Sequence, residues 1–252
     1  MTRDDQVTTA FVLAAGMGNR MRPLTDTLPK PLVALAGRPL IGHVLDRIAA
    51  AGISRAVVNV HYLADKLEAH LKGRASPKVI ISDERHALLD TGGGVVRALP
   101  LIGRGPFLIH NSDSVWIENG SSNLDRLIAA YDSVRMDSLL LLAPRSTSLG
   151  YDGLGDFSLG PDGRLERRIG QKPAPYVFAG VSMIHTHMFN GAPEGPFSLN
   201  EVWDRGIAAR RLYGIVLDGQ WMHVGTPDAL AGAERAIADA SATAVPAPGP
   251  RA

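Results

Sequence analysis

The sequence has no cysteine, and this absence narrows the chemistry that the chain can perform. None of its 252 residues can form a disulfide, a thiolate metal site or a cysteine nucleophile. The absence agrees with a reducing compartment. No run approaches the roughly 18 to 20 apolar residues that cross a bilayer, and residues 1–9 lack the basic and then apolar pattern of a secretory signal. We therefore expect a cytoplasmic protein without membrane contact.

The sequence also has little excess charge of either sign. Its 26 lysines and arginines face 25 aspartates and glutamates, which leaves a formal net charge of +1. Proteins that bind the nucleic-acid backbone need a broad basic surface, so this balance argues against nucleic acid as a partner. Any phosphate-binding site must therefore be formed by a few neighbouring residues and not by a broad basic surface.

Apolar runs alternate with amphipathic stretches, as in βαβ units. We predict strands at residues 9–15, 55–60, 78–82, 107–111, 138–143, 176–184 and 212–217, and a hairpin at 156–165. We predict helices at 41–51, 63–71, 93–99, 124–131, 199–209 and 227–240. We expect one domain over residues 1–240 and a disordered, Ala/Pro-rich tail over 241–252. The pattern favours a mostly parallel sheet, in which ligands bind at the carboxyl ends of the strands.

A glycine-rich loop follows the first predicted strand. Residues 13–20 read LAAGMGNR, and Gly16 and Gly18 let backbone N–H groups turn toward a bound anion. The loop lacks the third glycine of the dinucleotide fingerprint and the Lys-Ser/Thr pair of a P-loop. Taken alone, it fits a tight strand-to-helix turn equally well.

A lysine between two prolines follows ten residues beyond Arg20. Pro29 and Pro31 restrict the backbone around Lys30, so its side chain is held on a stiff segment. A surface lysine needs no such restriction, whereas a lysine that faces a transferring phosphate gains from preorganisation. We therefore predict that Lys30 binds phosphate.

Asp113 lies just after the predicted strand at residues 107–111. A carboxylate at the carboxyl end of a central strand can join a hard cation to the oxygens of a triphosphate. The alternative for such an aspartate is turn formation or helix capping.

Together these motifs resemble the signature of the sugar-1-phosphate nucleotidyltransferase family. The resemblance covers LAAGMGNRMRPLT at 13–25, PKPL at 29–32, GRPL at 37–40, GGG at 92–94, NSD at 111–113 and the turn at 225–227. It implies an α/β, Rossmann-like fold of the GT-A-like type, with a mostly parallel mixed sheet flanked by helices. It also implies an enzyme that joins a nucleoside triphosphate to a sugar 1-phosphate and releases pyrophosphate.

One branch of this family is most similar to the chain. Residues 90–94, DTGGG, and residues 155–157, GDF, look like the compact uridylyltransferases that act on N-acetylmuramic acid 1-phosphate in cell-wall recycling. Mannose-1-phosphate guanylyltransferase and glucose-1-phosphate thymidylyltransferase are alternatives within the reaction class. A nucleotide-binding regulatory module that has lost catalysis is the alternative from another class.

The resemblance implies roles for particular residues. The predicted catalytic residues are Arg20, Lys30 and Asp113. Predicted to bind the nucleotide are Leu13, Ala14, Ala15, Gly16, Met17, Gly18, Asn19, Arg20, Lys30, Glu84, Thr91 and Gly92. Predicted to bind the sugar are Asn111, Asp156, Lys172, Gly180, Asn200 and Glu201. The implied partners are therefore small molecules, bound by a monomer or a small homo-oligomer.

The metal motif departs from the family pattern. The resemblance implies Mg²⁺, with Mn²⁺ as an alternative, held by Asp113 and by a second aspartate in a Trp-x-Asp-x-Gly-Thr-Pro motif. Here residues 221–227 read WMHVGTP, so His223 stands where the carboxylate is expected. His223 is thus the second predicted metal residue, either as a ligand, through a metal-bound water or in contact with phosphate. Packing beneath the turn is its structural alternative.

Overall fold

A computed structural model describes residues 7–243 of the chain. The strands are β1 Thr9–Leu13, β2 Ala34–Leu35, β3 Arg38–Pro39, β4 Arg55–Val60, β5 Lys78–Asp83, β6 Pro106–Asn111, β7 Ser114–Glu118, β8 Ser138–Pro144, β9 Phe157–Leu159, β10 Leu165–Arg167, β11 Tyr176–His185, β12 Leu212–Val216 and β13 Gly219–His223. The helices are α1 Leu40–Ala50, α2 Ala64–Leu71, α3 Asp90–Ile102, α4 Asn123–Ala130, α5 Leu199–Ala208 and α6 Pro227–Thr243. None of these helices combines the length and apolar character needed to cross a membrane.

Nine strands form one mixed sheet. Its main path runs β12-β8-β11-β6-β1-β4-β5, and the β9–β10 hairpin joins the beginning of β11. The central strands β6, β1, β4 and β5 are parallel, whereas β11 runs antiparallel to both of its long neighbours, β6 and β8. The predicted α/β fold with a mixed sheet flanked by helices is confirmed.

The first strand is apolar on both faces because each face packs against a different hydrophobic core. Val12 belongs to the core that contains Ile41 and Ile48 of α1. Phe11, on the opposite face, belongs to the core that contains Val95 of α3. Burying one such side chain contributes about 1.5–3 kcal/mol. Helices on both faces therefore hold the carboxyl ends of the central strands in place.

A small second sheet was not predicted. β7 and β13 pair antiparallel, with Ser114 opposite His223. Each strand has only five residues, and about 100 residues separate them in sequence, so local periodicity carried no signal for the pairing. The pairing brings the residue that follows Asp113 beside His223.

Two helices extend beyond their predicted bounds. α3 begins at Asp90 rather than at residue 93, and it includes all three glycines of the run 92–94. α6 continues to Thr243, three residues into the segment predicted to be a tail. Residues 244–252, where the rest of that prediction falls, lie outside the described residues.

The glycines of α3 allow close contact with the segment that precedes α5. A Cβ added to Gly93 would lie 2.3 Å from the carbonyl oxygen of Gly195, and one added to Gly92 would lie 2.4 Å from the ring of Phe197. The backbone N–H groups of Gly93 and Gly92 donate to the carbonyl oxygen of Phe197, at 3.2 Å and 2.8 Å respectively. Small residues are therefore needed where this helix begins.

We predict that Gly93→Ala destabilises the protein although alanine favours a helix. The new methyl group meets backbone atoms that cannot rotate away, at an expected cost of about 1–3 kcal/mol in the free energy of unfolding. Gly232→Ala in α6 is the matched control, because its nearest heavy atom lies at 3.9 Å. The control is expected to gain up to about 1 kcal/mol from helix propensity. Urea unfolding measures both, and equal gains would contradict the prediction.

Candidate functional site

A cavity of about 650 Å³ opens at the carboxyl ends of the central strands. Every residue of the glycine loop, 13–20, lines it. Lys30, Glu84, Thr91 and Asp113, which were predicted from separate motifs, line it as well. The fold thus brings four distant parts of the chain to one cavity, where parallel α/β sheets bind their ligands.

The glycine loop is anchored by Asn59 at the end of β4. The Asn59 Oδ1 atom accepts hydrogen bonds from the backbone N–H groups of Ala14 at 2.6 Å and Ala15 at 3.2 Å. Its Nδ2 donates to Glu84 Oε1 at 2.8 Å. The side chain is 2% exposed, so each bond lies in a medium that strengthens it. Asn59 was not predicted, although a lone amide in the apolar strand RAVVNV was an available signal.

The second half of the loop ends in a short 3₁₀ turn, Asn19–Met21. Gly18 has φ +68°, a conformation that glycine adopts without strain, and its carbonyl oxygen accepts from Thr25 Oγ1 at 2.9 Å. Met21 is fully buried and fixes the turn, whereas Arg20 is exposed to the cavity. Arg20 has no ion-pair partner among residues 7–243, so its charge is available to an anion.

Lys30 and Asp113 form an ion pair beside this loop. Lys30 Nζ contacts Asp113 Oδ2, and the two side chains are 13% and 28% exposed. Lys30 opens a 3₁₀ turn whose buried residue is Pro31, which is the stiff segment that the two prolines predicted. Burial raises the pKa of Asp113, but the charge and hydrogen bond of Lys30 outweigh it and hold the pKa below its ordinary value. Asp113 is therefore a carboxylate at neutral pH.

His223 lies at the end of β13, across from Ser114. A Cβ added to Gly225 would lie 2.5 Å from His223 Nε2, and the Tyr151 and Trp221 rings lie 6.1 Å and 5.7 Å from the imidazole. Burial lowers the pKa of His223, the positive charges of Lys30 and Arg20 lower it further, and Asp113 opposes them. The imidazole is therefore neutral at physiological pH and able to act as a ligand or hydrogen-bond partner.

The donor set beside Asp113 fits a metal that is shared with a substrate. Residues 7–243 contain no group of three His, Cys, Asp or Glu side chains that could hold a metal by themselves. Mg²⁺ bound with phosphates is commonly held by one or two carboxylates, while water and phosphate oxygens complete its shell. Asp113 provides such a carboxylate, and the neutral imidazole of His223 is a donor that suits Mn²⁺ better than Mg²⁺.

Glu84 places a buried carboxyl group against the cavity. It is 2% exposed, Oε1 accepts from Asn59, and Oε2 has no hydrogen-bond partner among the described residues. Burial raises the pKa of Glu84, and it is lowered only in part by the Asn59 amide and by the backbone N–H of Leu89, which is near the carboxyl group but outside hydrogen-bonding geometry. An unpaired buried oxygen is costly, so this atom is poised to accept from a donor on a bound molecule.

A second cavity, of about 290 Å³, adjoins the first. Four residues line both: Leu13, Asp90, Thr91 and Asn111. Of the residues predicted to bind sugar, Asn111, Asp156 and Asn200 line the second cavity. The Asp156 Oδ2 atom accepts from the backbone N–H of Phe178 at 2.8 Å, which fixes this carboxylate at the wall.

The remaining predicted residues line neither cavity: Gly92, Gly180, Lys172, Glu201 and His223. At Gly92 and Gly180 the absence of a side chain lets neighbouring residues lie close to the backbone. A Cβ added to Gly180 would lie 2.8 Å from the Cβ of Ser114. Lys172 and Glu201 are exposed to solvent. Their roles in substrate binding stay predictions.

Several lining residues were missed by the sequence interpretation. Asp90 has φ +58°, which is strained for a residue with a side chain, and it lies where the two cavities meet. Arg167 and Trp203 line the second cavity from β10 and α5. Asp90 belongs to the DTGGG run at 90–94, but nothing in that run marked the aspartate itself as a lining residue. An arginine in a hairpin and a tryptophan in a helix carry no motif, so nothing in the sequence separated Arg167 and Trp203 from ordinary surface and core residues.

The chain is similar to known nucleotidyl transferases in sequence and in fold. The Nucleotidyl transferase family profile matches residues 9–240. The chain is 47% identical over 235 residues to an N-acetylmuramate alpha-1-phosphate uridylyltransferase of Caulobacter vibrioides, covering 92% of this chain and 97% of the relative. It is 35% identical to the protein of the same name from Neisseria meningitidis serogroup B, covering 86% and 93%. A crystal structure of UDP-glucose pyrophosphorylase with UDP-glucose has the same fold, with a TM-score of 0.78, 15% identity and coverage of 93% of this chain and 100% of the other.

We predict that Glu84→Gln stabilises the ligand-free protein at neutral pH. Because folding raises the pKa of Glu84, the folded state favours the protonated form, and stability falls as the pH rises through that raised pKa. Glutamine keeps the acceptor for Asn59 without the buried charge. The variant's advantage should therefore be small near pH 4 and grow toward pH 7 in urea unfolding. The exposed Glu166→Gln is the control, and a pH-independent difference for Glu84→Gln would refute the prediction.

Proposed function

The chain belongs to the nucleotidyl transferase family, and from this premise we propose that it is a uridylyltransferase acting on N-acetylmuramic acid α-1-phosphate. The products are the UDP-sugar and pyrophosphate. The observation that carries the proposal is that the cavity lined by Lys30 and Asp113 adjoins a second, smaller cavity through four shared lining residues. A nucleotide in the larger cavity and a sugar phosphate in the smaller one would meet where the two cavities join.

The larger cavity has chemistry suited to each part of a nucleoside triphosphate. The backbone N–H groups of residues 16–19 and the charge of Arg20, which has no ion-pair partner among residues 7–243, are donors for the phosphates that leave as pyrophosphate. The Oε2 atom of Glu84, which has no hydrogen-bond partner among residues 7–243, is an acceptor for an N–H group of the base. Uracil and guanine both offer such a donor. The similarity to two uridylyltransferases favours uracil and disfavours the guanylyltransferase and thymidylyltransferase alternatives.

The reaction needs no covalent enzyme intermediate. A phosphate oxygen of the sugar 1-phosphate attacks the α-phosphorus in line, and the bond to pyrophosphate breaks. Lys30 offsets the charge that develops on the α-phosphate, and its ion pair with Asp113 keeps it in position before substrate arrives. The protein thus contributes to the reaction by positioning the substrates and by placing positive charge beside the α-phosphate.

Asp113 is the residue we propose as the ligand for Mg²⁺, with His223 as the second metal residue. A divalent ion held there would neutralise phosphate charge and align the α-phosphate. The neutral imidazole of His223 also makes Mn²⁺ a competent replacement.

The wider assignment includes the setting in which the enzyme works. We propose one catalytic domain over residues 1–240, supported by the continuous nine-stranded sheet from β1 to β12. We further propose that it acts in the cytoplasm in cell-wall recycling, as a monomer or a small homo-oligomer. A regulatory module without catalysis is less well supported, because Arg20, Lys30 and Asp113 all line the same cavity.

Pyrophosphate release by the purified protein tests this function. UTP, GTP, dTTP, ATP and CTP are crossed with the 1-phosphates of N-acetylmuramic acid, N-acetylglucosamine, glucose and mannose, each with Mg²⁺ or Mn²⁺. Release with UTP and the muramic acid derivative is expected. Activity with GTP and mannose 1-phosphate instead would overturn the assignment, and folded protein that binds nucleotide without releasing pyrophosphate would favour the regulatory module.

We predict that Lys30→Ala lowers kcat by about 10²- to 10³-fold with a much smaller change in KM. This range is typical for the loss of one preorganised charge at a transition state. Lys72→Ala removes an exposed lysine far from the glycine loop and is expected to leave both constants unchanged. Unaltered turnover in Lys30→Ala, in protein with a normal unfolding transition, would contradict the assigned role.

A further inference from the structure

Arg167 is a charged residue of the smaller cavity that the proposed reaction does not use. Among the described residues that line this cavity it is the single cation, beside the carboxylates of Asp90 and Asp156. Both carboxylates already accept a backbone hydrogen bond, from Thr91 and Phe178. Arg167 lines the smaller cavity and not the larger one. An acceptor whose only anionic group is the reacting phosphate, which meets the nucleotide where the cavities join, gives no reason for a fixed cation that lines the smaller cavity alone.

The Arg167 guanidinium is held in place on several sides. Nε donates to Asp204 Oδ1 at 2.6 Å, and Nη2 donates to the carbonyl oxygen and Oδ1 of Asn200 at 3.2 Å and 3.0 Å. The guanidinium carbon lies 4.8 Å from the Phe157 ring centre and 5.9 Å from that of Trp203. An arginine fixed in this way loses little entropy when it binds a ligand.

One part of the guanidinium is unused. Nη1 has no hydrogen-bond partner among residues 7–243, while the side chain as a whole is 31% exposed. Asp204, the one ion-pair partner, is 58% exposed, so solvent screens much of its compensating charge. Arg167 therefore keeps a charged donor for an anionic group in the cavity.

The proposed acceptor has such a group. N-acetylmuramic acid differs from N-acetylglucosamine by a lactyl ether that ends in a carboxylate, apart from the reacting phosphate. We infer that Arg167 is a specificity-determining residue, whose Nη1 donates to the carboxylate of the acceptor sugar and so selects a carboxylated sugar 1-phosphate. This inference rests on the proposed function and deepens it.

The test pairs protein variants with acceptor variants. The acceptors are N-acetylmuramic acid α-1-phosphate and its analogue with a lactyl carboxamide, which keeps the shape and removes the charge. The proteins are wild type, Arg167→Gln, Arg167→Lys and Arg164→Gln. Arg164 is a matched control, because it lies near β10, bonds to Asp162, packs 5.3 Å from the Tyr213 ring and lines neither cavity.

Wild type should prefer the carboxylate by roughly 10- to 100-fold in kcat/KM, the range for a hydrogen bond to a charged group, and mainly through KM. Arg167→Gln should use the two acceptors equally, and Arg167→Lys should recover part of the preference. Arg164→Gln should behave like wild type. Because the acceptor change cannot unfold the protein, a fall in stability would not imitate this pattern.

Three results would overturn the inference. If Arg167→Gln lowers kcat/KM equally for both acceptors, the residue has only a structural role. If wild type uses both acceptors equally well, the carboxylate is not recognised, although the proposed function stands. If wild type uses neither acceptor, the proposed function fails together with the inference.

Discussion

The buried amide of Asn59 is the interaction on which the rest of the site depends. It joins the ends of three neighbouring strands: it accepts from Ala14 and Ala15 after β1, projects from β4 and donates to Glu84 after β5. An amide suits this position because it is a donor and an acceptor at once. One side chain therefore positions both the beginning of the glycine loop and the Glu84 carboxyl group, which line the larger cavity.

The charges of the site are arranged around this frame. Lys30 neutralises Asp113 in the ligand-free protein, whereas within the described residues Arg20 has no ion-pair partner and Glu84 Oε2 has no hydrogen-bond partner. The buried oxygen of Glu84 lowers stability without a ligand, and a bound nucleotide would supply a donor to it and negative charge to the exposed Arg20. The small β7–β13 sheet completes the arrangement by setting His223 beside the strand that follows Asp113. The buried Oε2 of Glu84 thus lowers the stability of the ligand-free protein but is available to bind a ligand.

Much of the site could be predicted because its motifs are contiguous. The glycine loop and the Pro-Lys-Pro segment have local backbone requirements that can be recognised in sequence, and both line the predicted cavity. The alternation of apolar runs likewise predicted most strands of the sheet. By contrast, the β7–β13 pairing, the strained Asp90 and the clamped Arg167 depend on contacts between distant segments. No local pattern records such contacts.

The sequence by itself determined the fold class, because hydrophobic periodicity acts over a few residues, and it indicated the family through contiguous motifs that resemble the family signature. It also predicted residues with chemistry at the ends of the strands. Only the tertiary structure decided which groups are paired: Asp113 is held by Lys30, while Glu84 Oε2 and Arg167 Nη1 have no hydrogen-bond partner in the part of the chain from residue 7 to residue 243. Hydrogen bonding and burial depend on the whole packed arrangement, so these properties emerge only when the chain has folded.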